Sequence, residues 1–355
     1  MKTYIIAEAG VNHNGSIELA KKLVKVAKDA GADAVKFQTF KAENLTTKQA
    51  KQADYQVENL GETTSQFEML KKLELSYEEF VELQSFCQTE GIEFLSTPFD
   101  FESVDFLVDR LQLSKIKIPS GEITNAPFLH YIATKKRPII LSTGMAVTDE
   151  IHEALAFIAF GLANPTEPVV LGDVLDFYES EAAKELLQKY VMLLHCTTQY
   201  PAPVDSINLN VINEMKKAFQ LAVGLSDHSE GIHISMAAVA LGTQVIEKHF
   251  TLDRELEGPD HVASLTPDEL KSMIKGIREV ELALGDGIKQ PNEVELKNRI
   301  PVRKSLVTKK AIEVGELFTT DNLTTKRPGN GISPNQYWKY IGQPASKKYD
   351  EDELV

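Results

Sequence analysis

Residues 4–40 read YIIAEAGVNHNGSIELAKKLVKVAKDAGADAVKFQTF, and this stretch decides the fold. It opens on a short apolar run, Tyr4 to Gly10, of the length of one buried strand. Ser16 then stands as an N-cap, Leu19, Leu23, Val26 and Ala30 recur at helical spacing, and Gly31 supplies a stop. A second apolar run, AVKFQTF, follows at once, so the unit is strand, helix, parallel strand.

The unit repeats. Runs EFLSTPF, KIKIPS, PIILSTG, VMLLHC, AVGLSD and VIEKHF follow in order, most of them separated by amphipathic stretches. Eight buried strands alternating with helices predict an α/β chain built as a (β/α)8 TIM barrel. The doubly wound open sheet competes, but no G-x-G-x-x-G follows the first strand. The barrel is expected over residues 1–285, with 161–190 an insertion before strand six that adds a helix on the face away from the chemistry. Residues 286–300 read as a linker, and 301–355 as a small domain of short segments and turns.

Barrel enzymes carry their chemistry at the C-terminal ends of the strands. Here those ends are polar almost without exception. Glu8 and then Asn-His-Asn-Gly close strand one, Lys36 and Gln38 strand two, Thr97 strand three, and Lys117 and Ser120 strand four. Ser142 closes strand five, Thr-Thr-Gln-Tyr follows strand six, Ser226 and His228 close strand seven, and Lys248 and His249 strand eight. His228 and His249 on adjacent strand ends suit one divalent ion, with Mn²⁺ expected where oxygen and water complete the shell, and Mg²⁺ or Co²⁺ as alternatives. Lys36 and Lys117 interrupt apolar strands; with Thr97, Ser120, Ser142 and Ser226 they can bind phosphate and carboxylate, the alternative being ion pairs with Glu8 or Glu122. Glu8 and Glu122 are the candidates for proton transfer.

Charge and composition exclude other classes. A formal net charge of −14 argues against a nucleic-acid partner. No apolar run is long enough to span a membrane. Two cysteines, Cys87 and Cys196, are too few for a disulfide framework and fit a cytoplasmic protein with core thiols. Residues 301–355 hold nine Lys+Arg against seven Asp+Glu, a mildly basic tail on an acidic body. Within it, TKRPGNG at 325–331 sets Arg327 before a turn framed by one Pro and two Gly.

The motifs AEAGVNHNGS, VKFQTF, STPFD, KIPSGE, ILSTGM, LLHCTTQYP, GLSDH, EKHFT, GPDH and KRPGNG, in this order, resemble the bacterial sialic acid synthases, with their legionaminate and pseudaminate relatives. The resemblance implies a TIM barrel followed by an antifreeze-like (SAF) domain, and a metal-dependent condensation of phosphoenolpyruvate with a hexose. N-acetylmannosamine, giving N-acetylneuraminate, is the acceptor expected first, and a 2,4-diacetamido-2,4,6-trideoxyhexose the second. It further implies that His228 and His249 hold the metal, that Lys36, Thr97, Lys117, Ser120, Ser142 and Ser226 bind phosphoenolpyruvate, and that Glu8, Gln38, Glu122, Tyr200 and Asp260 face the sugar. Arg327 would come from the partner subunit of a domain-swapped homodimer. Two positions bear on the sugar: Thr198 stands where an asparagine is common in the family, and Asn59 lies in the loop after strand two, near where some members place a sugar-site asparagine. Outside this class stand a pyruvate aldolase working through a lysine Schiff base, and a tail that binds ice or glycan.

Overall fold

The structure, a computed structural model, describes residues 2–61, 63–166 and 168–355. The chain divides into two units, Met1–Gly285 and Asp286–Val355.

The first unit is the barrel. Its strands are β1 (Tyr4–Gly10), β2 (Ala34–Thr39), β3 (Glu93–Pro98), β4 (Ile116–Ile118), β5 (Ile139–Ser142), β6 (Val191–Cys196), β7 (Ala222–Asp227) and β8 (Val245–His249). All ladders are parallel, in the order β3-β2-β1-β8-β7-β6-β5-β4. β3 and β4 lie side by side, and no ladder joins them among the described residues, so the barrel is nearly closed. Each strand run expected from the sequence contains the observed strand, because an apolar run flanked by turn residues is buried on both faces of such a sheet.

Alternation along the strands sorts the interior into layers. Ile6, Ala34, Leu95, Ile140, Leu194 and Val245 form an apolar plug. Two residues further along the same strands come Glu8, Lys36, Thr97, Ser142, Cys196 and Glu247, since side chains at i and i+2 share a face. The floor is tightly packed: a Cβ on Gly224 would lie 2.5 Å from the Val245 carbonyl oxygen and 2.6 Å from Leu194 Cδ2. The intervening residues, such as Ile5, Ala7, Val35 and Phe37, pack outward on the helices.

The helix between β1 and β2 spans Ile17–Ala30, with the Ser16 side chain accepting from the Leu19 amide and Gly31 in the left-handed region at φ 89°. Its buried face is Ala20, Leu23, Val24 and Ala27, rotated from the predicted stripe, so Leu19, Val26 and Ala30 are only half-buried. Among its described residues the insertion holds two helices where one was expected, Leu171–Tyr178 and Glu181–Tyr190. They follow helix Thr148–Ala163, whose Ala156 and Phe160 form a small core with Val174.

In the second unit the stretch read as a linker is helical at its end. Helix Glu293–Val302 is capped by Asn292, whose side chain and that of Glu295 exchange hydrogen bonds with each other's backbone amides. Strands β9 (Ser305–Thr308) and β10 (Leu323–Lys326) pair antiparallel over a core of Leu306, Ile312, Phe318, Leu323, Ala345 and Tyr349. Among the described residues no helix is long and apolar enough to cross a membrane.

Candidate active site

Thirteen barrel residues expected from the sequence to bind substrate or metal line one cavity of about 370 Å³: Glu8, Lys36, Gln38, Thr97, Lys117, Ser120, Glu122, Ser142, Tyr200, Ser226, His228, His249 and Asp260. The (β/α)8 closure brings them together from seven strand ends and two loops. Gly10, at φ +53°, keeps this space open. A Cβ there would lie 3.3 Å from Glu8 Oε1 and 3.4 Å from His249 Cε1.

The floor is a buried ion cluster. Lys36 Nζ lies 2.7 Å from Glu8 Oε2 and 3.6 Å from Glu247 Oε2, and donates to Thr97 Oγ1 at 3.0 Å. Lys117 Nζ lies 3.5 Å from Glu247 Oε1, not against Glu122, and Ser226 Oγ donates to the same oxygen at 2.7 Å. Burial pushes the Glu8 carboxyl up, with Lys36 pulling it back. Burial acts the same way on Glu247, but Lys117 and Lys36 together hold it below the usual carboxylate range. Burial lowers Lys117, and repulsion from Lys36 adds to that; Glu247 opposes both. Ser142 Oγ is buried with no hydrogen-bond partner among the described residues, a donor turned to the cavity. Ser120 Oγ is engaged, accepting from the Gly144 amide at 2.9 Å and lying 3.1 Å from Cys196 Sγ. Both cysteines are buried and free.

Glu247 is a site residue that is not among those expected from the sequence, which marks Lys248 and His249 in the same strand. The signal was there: in a strand 247 shares the inner face with 249, and 248 faces the other way. Lys248 accordingly leaves the cavity. Its Nζ lies 3.1 Å from Asp227 Oδ2 and donates to the Ser229 carbonyl, wholly out of solvent.

The two histidines meet at the rim, ring centroids 5.5 Å apart. His228 Nδ1 donates to the Thr197 carbonyl at 2.7 Å, which leaves Nε2 as the lone-pair nitrogen, 3.3 Å from Ser226 Oγ. His249 Nδ1 is buried and has no hydrogen-bond partner among the described residues; Asp260 Oδ2 is 4.0 Å away. Burial holds His228 neutral, its imidazolium form pushed down to about 4, and lowers His249 further with help from His228. Neutral imidazoles with an uncommitted nitrogen fit a divalent cation. Among the described residues no cluster of three His, Cys, Asp or Glu ligands forms, so water or substrate would complete the shell.

Tyr200 packs against both rings, tilted at 4.1 Å from His228 and edge-on at 5.5 Å from His249, and Tyr55 adjoins it at 5.1 Å. Asp260 is pushed up to about 6 by burial. Glu122 is raised by burial and accepts from Asn125 Nδ2 at 2.6 Å. Thr198 also lines the cavity, whereas Asn59 does not: its Nδ2 donates to the Pro259 carbonyl at 2.6 Å.

Arg327 lies in the second unit. Its side chain is exposed, with Nε donating to the Val302 carbonyl at 2.9 Å. The turn after it is clamped by Ser305, which donates through Oγ to the Pro328 carbonyl at 2.7 Å and accepts from the Gly331 amide at 2.9 Å.

Comparison with known proteins follows the same two units. Residues 23–289 match the NeuB family, and residues 303–355 match the SAF domain. The chain is 52% identical over 354 residues to the N,N'-diacetyllegionaminic acid synthase of Campylobacter jejuni, covering 100% of this chain and 99% of that one. Identity to the synthase of the same name from Legionella pneumophila is 44% over 346 residues, with 98% and 91% covered. The crystal structure of the N-acetylneuraminic acid synthetase of Leptospira borgpetersenii, in complex with citrate, matches with a TM-score of 0.65 at 31% identity, over 84% of this chain and 90% of that one. With a barrel unit that matches the NeuB family over residues 23–289 and a SAF domain after it, this chain is an enzyme that belongs to the NeuB family.

Proposed function

We propose that the enzyme condenses phosphoenolpyruvate with an open-chain 2,4-diacetamido-2,4,6-trideoxyhexose, forming a legionaminate-type acid and phosphate. The observation that carries this is the pair of buried ammoniums, Lys36 and Lys117, beside the unpartnered Ser142 hydroxyl: a floor able to neutralise a small, multiply charged anion. The acceptor departs from N-acetylmannosamine, the sugar expected first. The relatives at 52% and 44% identity are both named legionaminic acid synthases, and the named neuraminic acid synthetase stands at 31%.

In this reading Lys36, Lys117, Thr97, Ser120, Ser142 and Ser226 hold the phosphate and carboxylate. A divalent ion on His228 and His249, Mn²⁺ the expected one, supplies Lewis-acid polarisation of the acceptor aldehyde when bound. C3 of phosphoenolpyruvate attacks that aldehyde, whose oxygen takes up a proton. Water adds at C2 and loses a proton, and the C–O bond then breaks to release phosphate. The ammoniums stay fixed while charge moves, so they need no reorganisation in the transition state. Glu8, Glu122 and Asp260, all raised by burial, are the carboxyls suited to carry protons, Glu8 and Asp260 near neutrality. Gln38 and Tyr200 orient the sugar, and Arg327 of the partner subunit completes the site in a homodimer. Phosphoenolpyruvate as substrate places the enzyme in the cytoplasm.

The test is phosphate release by the purified protein with phosphoenolpyruvate, Mn²⁺ and each candidate sugar, with and without EDTA. Release with the diacetamido sugar, abolished by EDTA and restored by Mn²⁺, is expected. Silence with every sugar, together with borohydride trapping of pyruvate on a lysine, would return the aldolase reading.

A further inference from the structure

The cavity has two chemically distinct sides. One is the charged floor and the histidines. The other is built by the segment between β2 and the helix Tyr77–Glu90, and it contributes Leu45, Met69, Leu70 and Leu73 to the lining. These four belong to a small apolar cluster with Val11 and Phe99, which also line the cavity. Met69 and Leu73 are buried, but Leu45 and Leu70 are only half-buried. Packing alone therefore leaves apolar surface of this wall facing the cavity.

The tyrosine pair shows how the two sides connect. Tyr200 stands on the histidines, and Tyr55, on helix Asp54–Leu60 of the same segment, stands on Tyr200. A sugar whose reacting carbon sits at the histidines therefore passes the tyrosines with its far end towards the leucine wall. Among the described lining residues Lys36 and Lys117 are the only lysines or arginines, and both face carboxylates at the floor. Among the described lining residues of the barrel itself, the leucine side offers no cation to a sugar phosphate. Gln66, whose amide oxygen accepts from Thr46 Oγ1 at 3.0 Å, leaves its NH₂ as a neutral donor there.

We infer that Leu45 and Leu70, backed by Met69 and Leu73, receive the C6 methyl of the acceptor, so that this wall selects a 6-deoxy, unphosphorylated sugar. The inference rests on the proposed condensation and adds the side chains that read the far end of its acceptor. These four side chains desolvate a hydroxyl and offer it no hydrogen bond of their own, and discrimination of this kind is worth roughly 10- to 200-fold in kcat/KM.

The experiment compares 2,4-diacetamido-2,4,6-trideoxymannose with its 6-hydroxy counterpart and the 6-phosphate of that counterpart, measuring phosphate release. Wild-type enzyme is expected to favour the 6-deoxy sugar by on the order of tenfold or more, with the phosphate ester inactive. This comparison changes the substrate alone and needs no variant to fold. Leu70→Asn and Leu45→Asn should bring the ratio close to one with KM for phosphoenolpyruvate unchanged, and Leu70→Met should restore it. Equal kcat/KM for the two sugars with wild-type enzyme would overturn the inference while leaving the condensation intact. So would variants that lose activity equally with both sugars. No release with any of the three would overturn the condensation itself, and this inference with it.

Discussion

Glu8, Lys36, Lys117 and Glu247 share the barrel interior almost wholly out of solvent, two cations against two carboxylates. Removing one member of such a set leaves a buried charge without its partner, a loss of roughly 3–5 kcal/mol. Glu247→Gln keeps the shape and the contact with Ser226 but leaves two ammoniums facing Glu8 alone. The free variant should therefore melt well below wild type. It should also gain more thermal stability from phosphoenolpyruvate than wild type does, because the bound anion replaces the missing charge. An equal or smaller gain would show that this cluster is not the anion site. At this scale the sequence had marked both lysines as exceptional, since a cation inside an apolar strand must meet an anion. It did not name the right partner for Lys117. Glu122 follows the same strand, yet Glu247 reaches it from across the barrel at 3.5 Å.

Elements set which changes stay local. The helices Leu171–Tyr178 and Glu181–Tyr190 contribute nothing to the cavity among the described residues, and Val174 packs instead with Ala156 and Phe160. Val174→Ala should lower stability by about 1–2 kcal/mol through the lost apolar contact while leaving kcat and both KM values unchanged. A rise in either KM would mean that the insertion supports the site through helix Thr148–Ala163. The strand positions were legible because eight apolar runs, bounded by Gly, Pro and Ser, each match the length of a buried strand. The leucine wall was not. Its residues lie in a connection of short helices whose apolar positions read as ordinary packing until the fold sets them in the lining of the same cavity as the histidines.

At the scale of the whole molecule, the proposed function calls on Arg327 of one subunit to act in the barrel of its partner. Ser305 and the Val302 carbonyl hold Arg327 and its turn within the second unit, so the turn is shaped before any partner is met. If Arg327 acts across subunits, Arg327→Ala and Lys117→Ala proteins will each be inactive alone. Mixed under conditions that exchange subunits, they should recover about a quarter of wild-type activity, because one of two sites in each mixed dimer is then whole and half the dimers are mixed. No recovery would place the arginine in its own subunit's site, or outside the site. The sequence by itself determined the order of strands and helices and the polar strand ends. Chain-local patterns are enough for those, because burial repeats every second residue in a strand and about every fourth in a helix. Only the tertiary structure decided which charges pair and which apolar side chains line the cavity. Barrel closure brings together residues as distant as 36 and 247, and a linear pattern carries no record of those distances.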